Sequence, residues 1–438
     1  MRPPGPPPAA PRRQPGRALA LLTAALLSAC GGDPPARYDA ATDVDWVSQV
    51  MTDRYLYADR MPKADLSALT QAEEVLEALR VNPPDRFSYV DARSRYDGFF
   101  DEGRSLGLGI GFRVVGDAII LRFVQPDSPA GRAGLARGDR IAAIDGVAAA
   151  ELVAQGRVSA AFGPTEVGVT LRLAIERGDA RRELSITKDW HAVAPILARR
   201  VIEHGGRRIG YVFLYTFTEP TREAWADTLT ALRADGAREL IVDLRDNGGG
   251  RLFVAAEVAG SLAPPPAVGQ TFVQLVHNAR RSVDDLTIAV PAHPATGAFE
   301  RVAWLVSDAS CSASEVLIAG LRPFRDDALI GTPSCGKPVG FEPQTRGELV
   351  LSAVSFSTRN RDGLGDWFDG LVPTCTITAE PFVAHGDESD PRLAEALHWL
   401  DTGACSAAAA PGTASVAPKA LPRPRLPAGG LANETGLY

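Results

Sequence analysis

A serine and a lysine 25 residues apart carry the clearest chemistry in this chain. Ser312 lies in the run Ser310-Cys311-Ser312-Ala313-Ser314-Glu315, and Lys337 ends the run Gly331-Thr332-Pro333-Ser334-Cys335-Gly336-Lys337. A serine hydroxyl is a poor nucleophile at neutral pH, and a lysine ammonium is no base at all. Each needs the other, in a site that disfavours the charged amine, as burial does. The expectation is that Ser312 attacks a substrate and Lys337 takes its proton.

Those groups need elements to hold them. Arg301 to Val306 reads as a buried strand running into the Ser-rich turn, and Glu315 to Leu321 as an apolar helix after it. A serine at a strand-to-helix turn is exposed at the sheet end, close to free backbone N–H groups. Phe324 to Ile330 reads as a loop and second buried strand that brings Lys337 to the same edge. Upstream, Arg208 to Phe213 is a strand, Thr221 to Asp235 a helix, and Leu240 to Leu244 a strand. That strand ends in Asp243-Leu244-Arg245-Asp246-Asn247-Gly248-Gly249-Gly250. Glycines there let backbone amides approach a reacting carbonyl, as an oxyanion hole requires. Gly340 to Thr358 reads as strands, and Asp390 to Leu400 as an amphipathic helix.

Residues 103–190 have a different texture. Leu106-Gly107-Leu108-Gly109-Ile110-Gly111-Phe112 precedes a strand, Ala118 to Val124, and Gly138-Asp139-Arg140-Ile141 follows. Glycines let a loop turn its amides inward, and such a nest binds a terminal carboxylate. A following strand offers an edge to an extended peptide. A phosphate loop is the poorer reading, because no Lys-Ser/Thr follows and the next segment alternates as a strand.

Ser-Ala-Ser-Glu at 312–315, Gly-Lys at 336–337 and the Asp-Leu-Arg-x-Asn-x-Gly-Gly turn at 243–250 resemble the C-terminal processing peptidases. These are the Ser/Lys tail-specific proteases of peptidase family S41. The resemblance covers about residues 40–405. The Gly-rich stretch resembles a PDZ domain, and Phe87-Ser88-Tyr89-Val90 resembles the segment that precedes it in these peptidases. The implied fold is α/β, multidomain: a helical N-terminal region, a PDZ-like β domain and an α/β ClpP/crotonase-like core. The implied boundaries are 31–101, 102–190 and 191–405. Ser312 and Lys337 would form the dyad, the Gly249 and Ala313 amides the oxyanion hole, and Leu108, Gly109, Ile110 and Gly111 the carboxylate loop. The implied partners are polypeptides with free apolar C-termini. No cofactor or metal is implied. If Ser312 meets Lys337, Cys311 and Cys335 come close too, so the favoured pairings are Cys311–Cys335 and Cys375–Cys405.

Export fits that pairing. Arg2, Arg12, Arg13 and Arg17 precede an apolar run, Ala18 to Leu27, too short to span a bilayer. It ends in Leu27-Ser28-Ala29-Cys30, which looks like a bacterial lipobox. Residues 1–30 then read as a lipoprotein signal peptide, with Cys30 the lipidated residue. The expected place is the cell envelope, on the outer membrane facing the periplasm, since Gly31 rather than Asp follows. An oxidising compartment suits four further cysteines as disulfides. Residues 406–438 are rich in Ala, Pro and Gly and read as disordered. A net charge of −7 without a basic patch argues against a nucleic-acid binder.

Three rival readings compete. Ser334-Cys335-Gly336-Lys337 is also an S-x-x-K, but Pro338 directly after it does not propagate a helix. Ser312 is not set in the G-x-S-x-G elbow of a Ser-His-Asp hydrolase, and the six histidines lack metal-ligand spacing. A catalytically weak homologue that only binds peptides is the third. It draws on one departure: four residues after the lysine, where better-known members carry a glutamine, stands Phe341, with Gln344 three further on.

Overall fold

A computed structural model describes Tyr38 and residues 40–409. Cys30, the leader and residues 410–438 lie outside the described residues. The chain opens with helices α1 (Asp43–Arg54) and α2 (Ala72–Leu79). Thr42 caps α1 by accepting from the Asp45 amide while Asp45 caps back, a reciprocal box that satisfies two otherwise orphaned donors. Strand β1 (Tyr89–Ala92), helix α3 (Arg93–Phe100) and strand β2 (Arg104–Gly107) lead into the next domain.

That domain contains β3 (Ile110–Val115), β4 (Ala118–Val124), α4 (Pro129–Arg132), β5 (Arg140–Ile144), β6 (Val147–Ala148), α5 (Ala149–Ala154), α6 (Val158–Ala161), β7 (Thr170–Arg177) and β8 (Ala180–Thr187). Its sheet runs β3-β4-β5-β7-β8, closed over a core of Leu108, Ile119, Leu121, Ile141, Leu173 and Phe162. Strand β9 (Asp189–Ala192) returns to pair with β2, so one two-stranded ribbon forms both the way in and the way out.

The main sheet comprises β10 (Ile196–His204), β11 (Arg207–Leu214), β12 (Glu239–Asp243), β15 (Arg301–Val306), β16 (Ala328–Gly331) and the edge strand β21 (Cys375–Thr376). From β11 to β21 every pairing is parallel, whereas β10 is antiparallel to β11. Both faces must therefore be covered. Helices α7 (Thr221–Ala234), α8 (Leu252–Leu262) and α9 (Ala313–Leu321) cover one face, and α10 (Pro391–Thr402) the other. Strand β11 shows the period-two logic: Val212 and Leu214 join the first core, Tyr211 and Phe213 the second. Between α8 and β15 runs the hairpin β13 (Thr271–His277) and β14 (Leu286–Ala289). Strands β17 (Val339–Phe341), β18 (Gln344–Arg346), β19 (Leu349–Ser352) and β20 (Val354–Arg359) follow the lysine. They extend β13 and β14 into a second sheet, β14-β13-β20-β17, and pair β1 into a third, β1-β19-β18.

Two expectations need correction. The open edge that adjoins the Gly-rich loop belongs to β3, not to Ala118–Val124, which is paired on both sides. Residues 406–409, expected within a disordered tail, form a turn: Thr376 N donates to Ala409 O, and Glu395 accepts from the Ser406 amide at 2.8 Å. Cys375 and Cys405 lie at disulfide distance with Cα atoms 5.5 Å apart, beside that turn.

Candidate active site

The carboxyl ends of β11, β12, β15 and β16 are where open parallel sheets place their crevices. Here they surround a cleft of about 430 Å³ lined by Ser312, Lys337, Gly248, Gly249 and Ala313. Strand β15 ends at Val306, a five-residue turn follows, and Ser312 is the residue before α9. Its backbone has φ 55° and ψ −115°, a region that costs a non-glycine residue about 1–3 kcal/mol. The sharp turn is what throws the side chain into the cleft. It achieves the geometry of a nucleophile elbow without the flanking glycines that mark one in sequence.

The neighbouring serines have other work. Ser310 Oγ donates to Leu244 O at 2.7 Å, and Ser314 Oγ to Asn247 O at 3.1 Å. The Cys311 amide also donates to Asn247 O. These bonds stitch the nucleophile turn to the glycine turn. Gly249, at φ 112°, lies so close that an added Cβ would sit 2.9 Å from Ser312 Cβ and 3.1 Å from the Ala313 nitrogen. The two backbones expected to donate to an oxyanion are thus adjacent. Their amides are not equivalent, however. Gly249 N–H already donates to Asn247 Oδ1 at 2.8 Å, with Asn247 held in turn on Leu214 O. Ala313, whose amide is the first of α9, lines the cleft with the helix dipole behind it.

Lys337 is only 2 % exposed. Its Nζ lies 4.0 Å from the centroid of the Phe341 ring and 5.4 Å from that of Phe87. The Phe87 segment is pulled over the lysine loop by Arg86, which donates to Cys335 O at 2.6 Å. Gln344 is buried, and its Nε2 donates to the Glu342 carbonyl at 3.0 Å. Ser334 is no nucleophile, because its hydroxyl donates to Glu315 and accepts from the Leu371 amide. No helix starts there, which removes the S-x-x-K reading. No histidine lines the cleft.

Glu315 joins the two halves. It is fully buried at the first turn of α9, yet makes no salt bridge among the described residues. Its Oε2 accepts from the backbone amides of Ser312 at 2.9 Å and Lys337 at 2.8 Å, so a single oxygen fixes the Ser312 and Lys337 backbones relative to each other. Oε1 accepts from Gly336 N at 2.8 Å and from Ser334 Oγ. Burial pushes the carboxyl above its ordinary value, and these four donors oppose that. Cys335 N also donates to Ser310 O at 3.0 Å, and Cys311 and Cys335 lie at disulfide distance with Cα atoms 5.1 Å apart.

The Gly-rich domain reaches the same turn. Asp246, two buried residues before Gly248, meets Arg122 of β4 at 3.0 Å and Arg137 at 3.7 Å. Arg113 of β3 meets Asp308 within the turn that precedes Ser312, and Arg113 and Arg137 share Glu380 at 3.3 and 3.4 Å. In the Leu108–Gly111 loop, Gly109 stands at φ 79°. The carbonyls of Leu108 and Gly109 accept from the Ala130 and Gln125 amides, which anchors the loop from behind.

Comparison with known proteins now bears on the site. Residues 208–357 match Peptidase family S41, residues 44–89 the Peptidase S41 N-terminal domain and residues 107–187 the PDZ domain. The chain belongs to peptidase family S41. It is a serine peptidase of the carboxyl-terminal-processing kind with a PDZ domain. It is 26 % identical over 305 residues to a carboxyl-terminal-processing protease of Picosynechococcus, covering 68 % of this chain and 71 % of that one. It is 28 % identical over 240 residues to the chloroplastic carboxyl-terminal-processing peptidase 2 of Arabidopsis thaliana, covering 53 % of this chain and 45 % of that one. The matched stretch thus spans from about half to about seven tenths of these relatives. A Bacteroides fragilis protein assigned to the S41 proteases shares the fold at TM-score 0.65 and 21 % identity, over 84 % of this chain and 99 % of that one.

Proposed function

We propose that this S41 peptidase cleaves polypeptides through a Ser312–Lys337 dyad after capturing their free C-termini on its PDZ domain. The observation that carries the reading is Glu315 Oε2, which holds the Ser312 and Lys337 backbones together beside one cleft. Ser312 Oγ attacks the scissile carbonyl while its proton passes to Lys337 Nζ. The oxyanion is met by Ala313 N–H, and Gly249 N–H joins by exchanging Asn247 Oδ1 for it. The C–N bond then breaks, Lys337 returns the proton to the leaving amine, and water hydrolyses the acyl-enzyme with Lys337 again as base. Tyr89, Phe99, Phe100, Leu275, Leu286 and Phe356 give the cleft apolar walls, which favours apolar side chains beside the cut.

The carboxylate nest is supported by the anchored Leu108–Gly111 loop, and the extended peptide by the open edge of β3. One experiment tests both parts. A polypeptide without stable fold and with an apolar C-terminus is offered with that end free or amidated. The free form is expected to be cut, and amidation to raise KM by about 10- to 100-fold, as loss of charge-assisted bonds would. No cleavage of either form would leave only a peptide-binding homologue, and equal KM values would remove the nest.

The proposal extends to the envelope. Leu27-Ser28-Ala29-Cys30 supports lipidation at Cys30 and anchoring on the outer membrane facing the periplasm, and the two cysteine pairs support disulfides in that compartment. Cys30→Ser is expected to move the protein from the membrane to the soluble fraction; a variant that stays with the membrane would refute the anchor.

A further inference from the structure

The lysine that accepts the proton has an aromatic side chain where an amide was expected. Phe341 ends β17, which pairs antiparallel with β20. The register slips between Gly340 and Phe341, and such a slip re-aims a side chain. Gly340 makes the close pairing feasible, because a Cβ there would lie 2.3 Å from the Phe356 ring. The Phe341 ring is then held edge-to-face by Tyr89, with centroids 5.7 Å apart and planes at 88°. Tyr89 is 2 % exposed in β1, registered opposite Ser352 of β19. A ring fixed from two sheets therefore presents itself to Lys337 Nζ at 4.0 Å, and Phe87 stands at 5.4 Å.

An aromatic face carries negative potential and attracts an ammonium, most strongly where water is excluded. It does little for a neutral amine. In the dyad mechanism, on which this inference rests, Nζ gains its charge only as the Ser312 proton is transferred. A group that attracts the ammonium but not the amine acts on the transition state rather than on the resting enzyme. We propose that Phe341 is the positioning residue for Lys337: its ring face steers Nζ and stabilises the charge that Nζ acquires, the task an amide oxygen would otherwise perform. Phe87 completes the slot, and Tyr89 sets the angle of the Phe341 ring.

The test keeps the shape and removes the charge. Phenylalanine analogues carrying one, two and three ring fluorines are placed at position 341 of the full chain. Cleavage of an unfolded polypeptide is followed beside the rate at which a fluorophosphonate labels Ser312. Fluorination is expected to lower kcat and the labelling rate stepwise, by about tenfold across the series, with KM unchanged. Phe341→Leu should lose at least as much, and Phe341→Tyr should retain most of the activity. A flat series in an active enzyme would overturn the inference and leave Phe341 as packing. Undiminished activity of Lys337→Ala in the same assay would instead overturn the dyad, so the two failures are separable.

Discussion

Ser312→Ala and Lys337→Arg are each expected to lower cleavage by at least about 10³-fold while the fold stays intact. The Ser312 hydroxyl is the group thrown into the cleft by a backbone at φ 55°, and alanine at that turn keeps the turn but has nothing to attack with. Arginine is a permanent cation and cannot give up a proton, so it cannot take one from Ser312. Ser312→Gly separates strain from chemistry. Glycine adopts positive φ freely, so this variant should be as inactive as Ser312→Ala yet more stable than it by about 1 kcal/mol. Initial rates and urea midpoints check both statements. Wild-type rates from Ser312→Ala would mean that the nucleophile lies elsewhere.

Glu315→Gln should be nearly as damaging, for a reason that involves no proton transfer. Both carboxylate oxygens of Glu315 accept two hydrogen bonds. A glutamine can present one oxygen; its amide group would point N–H groups at two buried donors. A buried donor left unmet costs about 1–3 kcal/mol, so two should lower stability by about 2–6 kcal/mol, read as a lower urea midpoint. If the amide turns its NH₂ toward Ser312 N and Lys337 N, nucleophile and base separate, and kcat should fall about 10²-fold with little change in KM, because misplacement of a reacting group by 1 Å costs that much. The check is kcat measured on protein shown to be folded. Unchanged kcat would mean that the carboxylate only supports the fold.

Much of the scaffold was legible in the sequence. The apolar run Arg301–Val306 and the Ser-rich turn after it announced a strand and an elbow, and period-two and 3.6-residue patterns placed β11, α7 and α10 within a residue or two. The glycines at 107–111 led to the PDZ domain, and the S-A-S-E and G-K runs to the S41 family, because their signals are local. What stayed hidden depends on contacts between distant segments. Glu315 reads as a helix-capping acid, and only the fold brings it to Gly336 and Lys337. Phe341 stands out in the sequence only as a departure, and nothing there shows that its ring and that of Phe87 meet Lys337. Asn247 looks like a turn former, and its grip on the Gly249 amide follows from a side-chain rotation that no pattern encodes. The arginines at 113, 122 and 137 are scattered among ordinary surface charges until Asp246, Asp308 and Glu380 face them. Strand pairing, likewise, is set by the sheet: only topology decides that β3 rather than β4 keeps an open edge.

The two ends of the main sheet have a consequence for behaviour at high local concentration. An exposed row of backbone donors and acceptors is a template on which a second chain can polymerise. Here the terminal strand β21 is two residues long and is covered by the turn ending at Ala409, whose carbonyl takes the Thr376 amide. At the opposite end β10 carries Arg199, Arg200 and Glu203, charges that discourage edge-to-edge stacking of copies. A crowded layer of this enzyme should therefore resist fibril-like self-assembly through the very sheet that carries its reactive groups.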